Sequence, residues 1–334
     1  MNRTPLVNRA PLATTIVIPT YAEQRWDSLV RALDSARKQD RPPAEIVVAV
    51  DHNPALARRA RRELGDVTVL QNAYARGVSG NRNTGAFHAR TPLVAFLDDD
   101  IVADRHWLGR QIEPFADPSV AGTGGAIDPA WQGDRPRWMP GEFLWAVGGS
   151  YAGMPTETAP IRNVWSAGMV VRREAFTRVG GFRVGFGKLG DRNRPEDTDL
   201  CLRISAAGGG HWVYVPGAVI RHEVPRERAT FRFFLRRCYA EGRGKVQMAG
   251  LHEDDALGAE RGYLWSLPGA VARHLGAAIR GRGAHELLQA GGVLAGVAAA
   301  GVGGAVEKLT GARTTNGGAP DGGAAGRRSD GAAA

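Results

Sequence analysis

Asp98, Asp99 and Asp100 stand in a row directly behind the apolar run of residues 94–97. Three adjacent anions repel, so the arrangement costs energy unless a cation sits beside them or water covers them. A divalent cation resolves the conflict. Mg²⁺ or Mn²⁺ takes oxygen ligands, commonly one or two carboxylates plus the phosphates of a substrate. The competing reading is a polar strand end whose aspartates cap the next helix. Four further positions have side chains suited to chemistry. Glu196 and Asp197 follow Pro195 at a helix start, where acids also simply favour the helix dipole. His222 ends the run "HWVYVPGAVIRH", where a histidine is either a metal ligand or structural. Asp51 opens "DHNP", which is also ordinary turn chemistry.

The elements that must hold these residues follow from periodicity. "TTIVIPT", "EIVVAVD", "VTVL" and "PLVAFL" are short, continuous apolar runs and read as buried strands. Between them, "RWDSLVRALDSARKQ", residues 54–64 and residues 79–89 carry helical spacing. Strands alternating with helices imply an α/β fold, a mostly parallel sheet with helices on both faces. Ligands of such sheets bind beyond the carboxyl ends of the strands. Residues 19–23, Asp51 and the three aspartates all fall at those ends. Residues 125–160 show no clean period. They hold Trp131, Trp138 and Trp145 among glycines and prolines, and read as a long loop, either a binding lid or a segment packed back on the domain. A strand and short helix resume at "SAGMVVRREAFTRVGGF", followed by a helix after Pro195, one or two strands, and the basic amphipathic helix "ATFRFFLRRCYAEGRGKVQMAG".

The 334 residues carry a net charge of +9, and nearly all of the positive charge is arginine. That balance suits phosphates and acidic membrane surfaces. No Lys/Arg block with interleaved aromatics marks a nucleic-acid module. Cys201 and Cys238 form neither a disulfide framework nor a metal spacing. The first fifteen residues lack the apolar core of a secretory signal.

Taken in order, "VIPTYAEQ", "VVAVD", "GNRNTGAFHA", "FLDDD", "AGMVVRREAFTRVGGF" and "EDTDLCLRISAAGG" resemble the family-two glycosyltransferases over residues 14–245. The resemblance implies a single Rossmann-like domain of the nucleotide-diphospho-sugar transferase type-A fold. It also implies roles. Pro19, Thr20, Tyr21, Glu23, Asp51, Arg82, Asp98 and Asp99 would hold the donor nucleotide. Asp100 and His222 would hold Mg²⁺ or Mn²⁺. Trp165, Gly168 and Glu196 would meet the donor sugar or acceptor, and Asp197 would be the general base. The family often has a second acid after Asp51; here it is His52. The Q-x-x-R-W element of processive synthases is replaced by "FLRRCYAEGRGK", which implies single transfers.

The activity expected from the resemblance is inverting, metal-dependent transfer of a sugar from a nucleotide diphosphate to a hydroxyl. The acceptor is a glycan, a polyprenyl-linked intermediate or a small molecule, with no nucleic acid involved. Two rivals are a sugar-nucleotide nucleotidyltransferase, which needs a Gly-rich basic loop where "PTYAEQRW" stands, and a non-catalytic binding protein, which would have lost Asp100 or Asp197. Residues 287–306 are uncharged and long enough to span a bilayer, with Gly292 and Gly296 in the spacing of close-packed membrane helices. A marginal span, a membrane-surface helix and a helix packed on the domain are all compatible with them. The expected location is cytoplasmic, at the inner face of the cell membrane. The expected organisation is an N-terminal extension (1–13), a catalytic domain (14–250), a C-terminal helical region (251–310) and a disordered tail (311–334).

Overall fold

A computed structural model describes residues 12–189, 192–250 and 258–315. Its centre is β1 (Thr14–Thr20), buried along its whole length. Ile16 and Ile18 enter one apolar core while Val17 enters the other, on the opposite face of the sheet. This two-sided burial is why the run is continuously apolar rather than alternating. Around it lie α1 (Trp26–Arg37), β2 (Glu45–Val50), α2 (Pro54–Glu63), β3 (Thr68–Gln71), α3 (Val78–His88) and β4 (Leu93–Phe96). Asn53 caps α2 by accepting from the Leu56 amide at 3.0 Å, with Pro54 at the first helical position.

The chain continues through β5 (Ile101–Ala103), α4 (Trp107–Ile112), β6 (Val120–Trp131), β7 (Ala159–Ile161), β8 (Met169–Arg172) and α5 (Arg173–Arg178). Then follow β9 (Gly187–Leu189), β10 (Arg192–Arg194), α6 (Glu196–Ala206) and β11 (His211–Val224). The main sheet runs β3-β2-β1-β4-β8-β6-β11-β5, with β7 also on β11 and β9–β10 as a separate hairpin. β1 to β4 are mutually parallel; β8 lies antiparallel between β4 and β6, and β5 and β7 are antiparallel to β11. The sheet is therefore mixed beyond β4.

The structure corrects the reading of residues 125–160 as a loop throughout. β6 runs on to Trp131, in parallel register with β11. Its glycines hid it. A Cβ on Gly122 would stand 2.2 Å from the Trp212 ring, and one on Gly124 would stand 2.4 Å from Val164. The strand is bare there because large side chains from neighbouring elements fill the space. The rest of the segment packs back onto the domain. Met139, Phe143 and Val147 join Val224 and three helices, α7 (Phe231–Ala249), α8 (Gly258–Ile279) and α9 (His285–Thr315), in a third apolar cluster.

The glycines of α9 serve this packing. A Cβ on Gly296 would meet Phe143 at 2.5 Å, one on Gly292 the Trp138 carbonyl at 2.7 Å, and one on Gly303 the Tyr239 carbonyl of α7 at 2.1 Å. The small-residue pattern is thus an intramolecular seam. α9 extends to Thr315; the remainder of the expected disordered tail, like residues 1–11, lies outside the described residues.

Candidate active site

One cavity of about 1080 Å³ opens at the carboxyl ends of β1, β2 and β4 and extends to the C-terminal helices. Pro19, Thr20, Tyr21, Asp51, Arg82, Asp98, Asp99, Asp100, Trp165, Glu196, Asp197 and His222 all line it. Glu23 and Gly168 do not. Glu23 turns outward to Arg59, 3.2 Å away. Gly168 is buried in packing, where a Cβ would meet Ile220 at 2.5 Å.

The three aspartates are answered by arginines of this chain. Arg25, in the turn after β1, donates from Nε and Nη2 to Asp99 Oδ1 at 2.8 and 2.5 Å, and its Nη2 lies 2.7 Å from Asp100 Oδ2. Thr20 also donates to Asp99 at 2.7 Å. Burial pushes the Asp99 carboxyl up to about 6, against the opposing pull of Arg25. Arg82, on α3 and almost fully buried, joins Asp98 at 2.5 Å to Glu196 at 3.0 Å. It ties β4 to α6 across the cavity floor. Sequence reasoning missed Arg25; its only signal was a cation four residues beyond Tyr21, on a turn that had to end near the aspartates.

Asp100 and His222 form a pair suited to a metal. His222 Nδ1 lies 3.1 Å from the Val147 carbonyl, which can only accept, so Nδ1 carries the proton. Its Nε2 then faces Asp100 Oδ2 at 3.4 Å. A lone pair facing a carboxylate needs a proton or a cation between them. Two ligands of a cation at about 2.1 Å would themselves be roughly 3 Å apart. Fixing the ring through its second nitrogen is the usual device for orienting a ligand histidine. Gly148 makes room for it: φ is +81°, and a Cβ would stand 2.7 Å from the imidazole. Burial opposes ionisation of Asp100, but His222 and Arg25 outweigh it and hold the carboxyl well below the usual range. Two protein ligands suit Mg²⁺ or Mn²⁺, which keeps positions for phosphate oxygens.

Asp51 is largely spoken for. Its carboxylate accepts from Asn72 at 2.6 Å and from the Gly77 amide at 2.9 Å, and His52 Nδ1 lies 2.8 Å away. His52 holds a left-handed φ of +48°, which turns the chain sharply off β2. Arg76 and Arg228 also line the cavity, with no carboxylate partner for either side chain among the described residues.

The first turn of α6 gives its acids three different surroundings. Glu196 accepts from Arg82 and from Ser166. Asp199 is completely buried and paired with Arg183 and Arg203, both at 2.8 Å. Among the described residues, Asp197 accepts only from its neighbour Thr198, at the amide (2.7 Å) and the hydroxyl (3.4 Å). Although it borders the cavity, protein surrounds it. That burial, with Glu196 adjacent, pushes its carboxyl up to about 6. Across from it, Lys245 of α7 lies 2.8 Å from Glu260 of α8, and Arg162 forks onto Glu260 at 2.5 and 2.6 Å. Trp145 donates to the Tyr263 hydroxyl at 3.0 Å, and Tyr151 and Trp165 complete an aromatic wall. The segment read as a loop, α7 and the C-terminal helical region thus supply this end of the cavity.

Known proteins give this geometry its context. Residues 15–180 match the model of glycosyl transferase family 2. A glucosyl-dolichyl phosphate glucuronosyltransferase of Haloferax volcanii is 28% identical over 242 residues, covering 71% of this chain and 77% of that protein. A pre-mycofactocin glycosyltransferase of Mycobacterium tuberculosis is 30% identical over 214 residues, 62% of this chain and 43% of that protein. Among solved structures, the mannosyltransferase PcManGT of Pyrobaculum calidifontis, in complex with GDP-Man and Mn²⁺, covers 92% of this chain and is covered to 81% (TM-score 0.54, 20% identity), a likeness of fold. The chain belongs to glycosyl transferase family 2 and is a glycosyltransferase of the type-A fold.

Proposed function

We propose that the protein transfers one sugar per encounter from a nucleoside diphosphate to an acceptor hydroxyl, with inversion and with a divalent metal. The observation that carries this reading is the position of Asp197. It faces the same cavity as the aspartate row, from a different element, with no cationic hydrogen-bond partner among the described residues. An acceptor hydroxyl is a poor nucleophile at neutral pH. Asp197 takes its proton as the new C–O bond forms and the bond from the anomeric carbon to the diphosphate oxygen breaks. Direct displacement from the face opposite the leaving group inverts the carbon.

Asp100 and His222 are the residues that would hold Mg²⁺ or Mn²⁺. The cation would supply positive charge for the departing diphosphate. Arg76 and Arg228 add charge-assisted donors for the same oxygens. Tyr21, Asp51 and their neighbours bind the nucleoside, and Glu196, steered by Arg82, meets the sugar. The acceptor is a glycan, a polyprenyl-linked intermediate or a small molecule, and no nucleic acid takes part.

The same reading places the protein in the cytoplasm at the inner face of the membrane. Within the α9 stretch His285–Thr310, an 18-residue window has a mean hydropathy of 1.5 and is 28% buried. Its glycine seam packs on the domain, while Leu287, Leu288, Leu294 and Leu309 stay exposed. That division favours lying on a membrane over crossing it. Release of nucleoside diphosphate from a panel of nucleotide sugars tests the transfer. A nucleotidyltransferase would instead yield pyrophosphate from a nucleoside triphosphate, and a binding protein would release nothing.

A further inference from the structure

The cavity does not end at Asp197. Its far wall is apolar and built by α7, α8 and α9: Val246, Leu264, Val297, Ala300, Gly301 and Gly304. Three of these residues, Leu264, Val297 and Gly301, belong to the outer surface as well. Leu264 is 49% and Val297 37% exposed, so the wall runs through the mouth of the cavity onto the surface. There it meets Trp265, 83% exposed, and Leu294, one turn before Val297. On α9, Leu294, Val297, Gly301 and Gly304 share one helical face. Gly301 carries the point. A Cβ there would meet nothing within 4 Å, whereas Gly292, Gly296 and Gly303 are pressed against neighbouring atoms. The first three residues of that face therefore border a furrow that stays open from the surface to the reacting end.

Resting on the transfer reading above, we propose that this furrow seats a hydrocarbon chain of the acceptor. The acceptor is then an amphiphile. Its hydroxyl-bearing head lies at Asp197, between Lys245, Glu260 and the aromatic wall. Its chain leaves between α8 and α9 past Leu264 and Val297. Two features single out this occupant. The furrow is continuous with the catalytic end, and the exposed Leu264, Val297 and Leu294 carry an apolar wall from it onto the surface. On this proposal α8 and α9 form part of the acceptor site, and their exposed apolar face is where the chain would pass into a lipid phase.

The test is calorimetric titration of the full chain with octyl β-D-glucoside and with methyl β-D-glucoside, below the micelle concentration. Burying as few as three methylenes corresponds to roughly fiftyfold tighter binding. The expected result is at least that preference for the octyl compound, lost in Gly301→Leu and in Val297→Gln. Gly301 is exposed on a helix with open space beside it, so leucine enters without a clash. UDP and GDP binding in the presence of Mn²⁺ should be the same in both variants as in the parent. Equal binding of the two glucosides would overturn the proposal, as would an octyl preference that survives both substitutions. A parent chain that binds octyl glucoside but neither nucleotide would overturn the transfer reading and the acceptor assignment with it.

Discussion

At the end of the cavity built by the strand tips, every acid of the aspartate row has a cation. Asp98 has Arg82, and Asp99 and Asp100 share Arg25. At the other end, among the described residues, Asp197 takes hydrogen bonds only from Thr198. The neighbouring acids there, Glu241 and Glu260, are paired instead, with Arg237, Arg162 and Lys245. The contrast separates two uses of a carboxylate. A carboxylate gripped by a guanidinium, as in the aspartate row, is committed to anchoring charge; at Asp197 the hydrogen bonds from Thr198 reach only Oδ1, which leaves Oδ2 to take a proton from a substrate. Each prediction below removes one side of that difference.

The largest effect is expected from Asp100→Ala, which removes one of the two metal candidates and leaves His222 facing nothing. Nucleoside diphosphate release should fall to background, and excess chelator should do the same to the parent protein. Full turnover in chelator would show that the arginines alone serve the diphosphate.

Asp197→Asn comes next. The side chain keeps its size and its place on α6 but cannot accept the proton. Turnover should fall by about 10²–10⁴-fold while donor affinity, measured by titration with UDP or GDP, stays near the parent value. Normal turnover with donor bound would assign the base elsewhere.

Arg25→Gln probes the neutralised end. Without its guanidinium, Asp99 and Asp100 face one another partly buried, and the metal-free protein should lose about 1–3 kcal/mol of stability. Mn²⁺ should then raise the melting temperature of the variant more than that of the parent, because it restores the missing charge. An equal shift in both would mean that Arg25 does not occupy the position a metal would neutralise.

A smaller effect concerns pH. Asp197 must be ionised to act as a base, and burial has moved its pKa up to about 6. As pH falls through that value the base is protonated, so kcat/KM should drop about tenfold per unit below it. An ordinary carboxylate would hold nearly full activity down to about pH 5. A profile flat from pH 8 to pH 4.5 would remove the perturbed carboxylate from the mechanism.

The strand-tip end was legible in the sequence because its parts are local. Continuous apolar runs fixed β1, β2 and β4, and the acids at their ends had to converge wherever parallel strands end together. The other end was not legible. Its walls come from Trp145, Arg162, Lys245, Glu260 and Tyr263, which lie far apart in the chain and share no period. β6 escaped notice because its glycines make way for Trp212 and Val164, which no local pattern records. The glycines of α9 were read as a membrane pattern, but the same spacing lets any two helices approach closely. Here the partners are α7 and the 138–143 segment.

Glu23 shows where a motif's residue and the geometry part ways, and it gives the smallest effect. Its place in "PTYAEQ" implies a hold on the donor. In the structure its carboxylate is well exposed, turned from the cavity onto Arg59, which stacks its guanidinium over the Trp26 ring at 3.9 Å. Arg59 retains Glu63 at 3.1 Å when Glu23 is neutralised, so no cation is stranded. Exposed pairs of this kind contribute little, since both groups are well solvated and screened by salt. Glu23→Gln should therefore leave donor affinity within about twofold of the parent at physiological salt. Asp51→Asn should behave differently, because the Asp51 carboxylate takes the Gly77 amide and Asn72 at the cavity edge and fixes the start of α3. A tenfold loss of UDP or GDP affinity in Glu23→Gln would mean that the β1–α1 turn closes over the donor and brings this side chain back into the cavity.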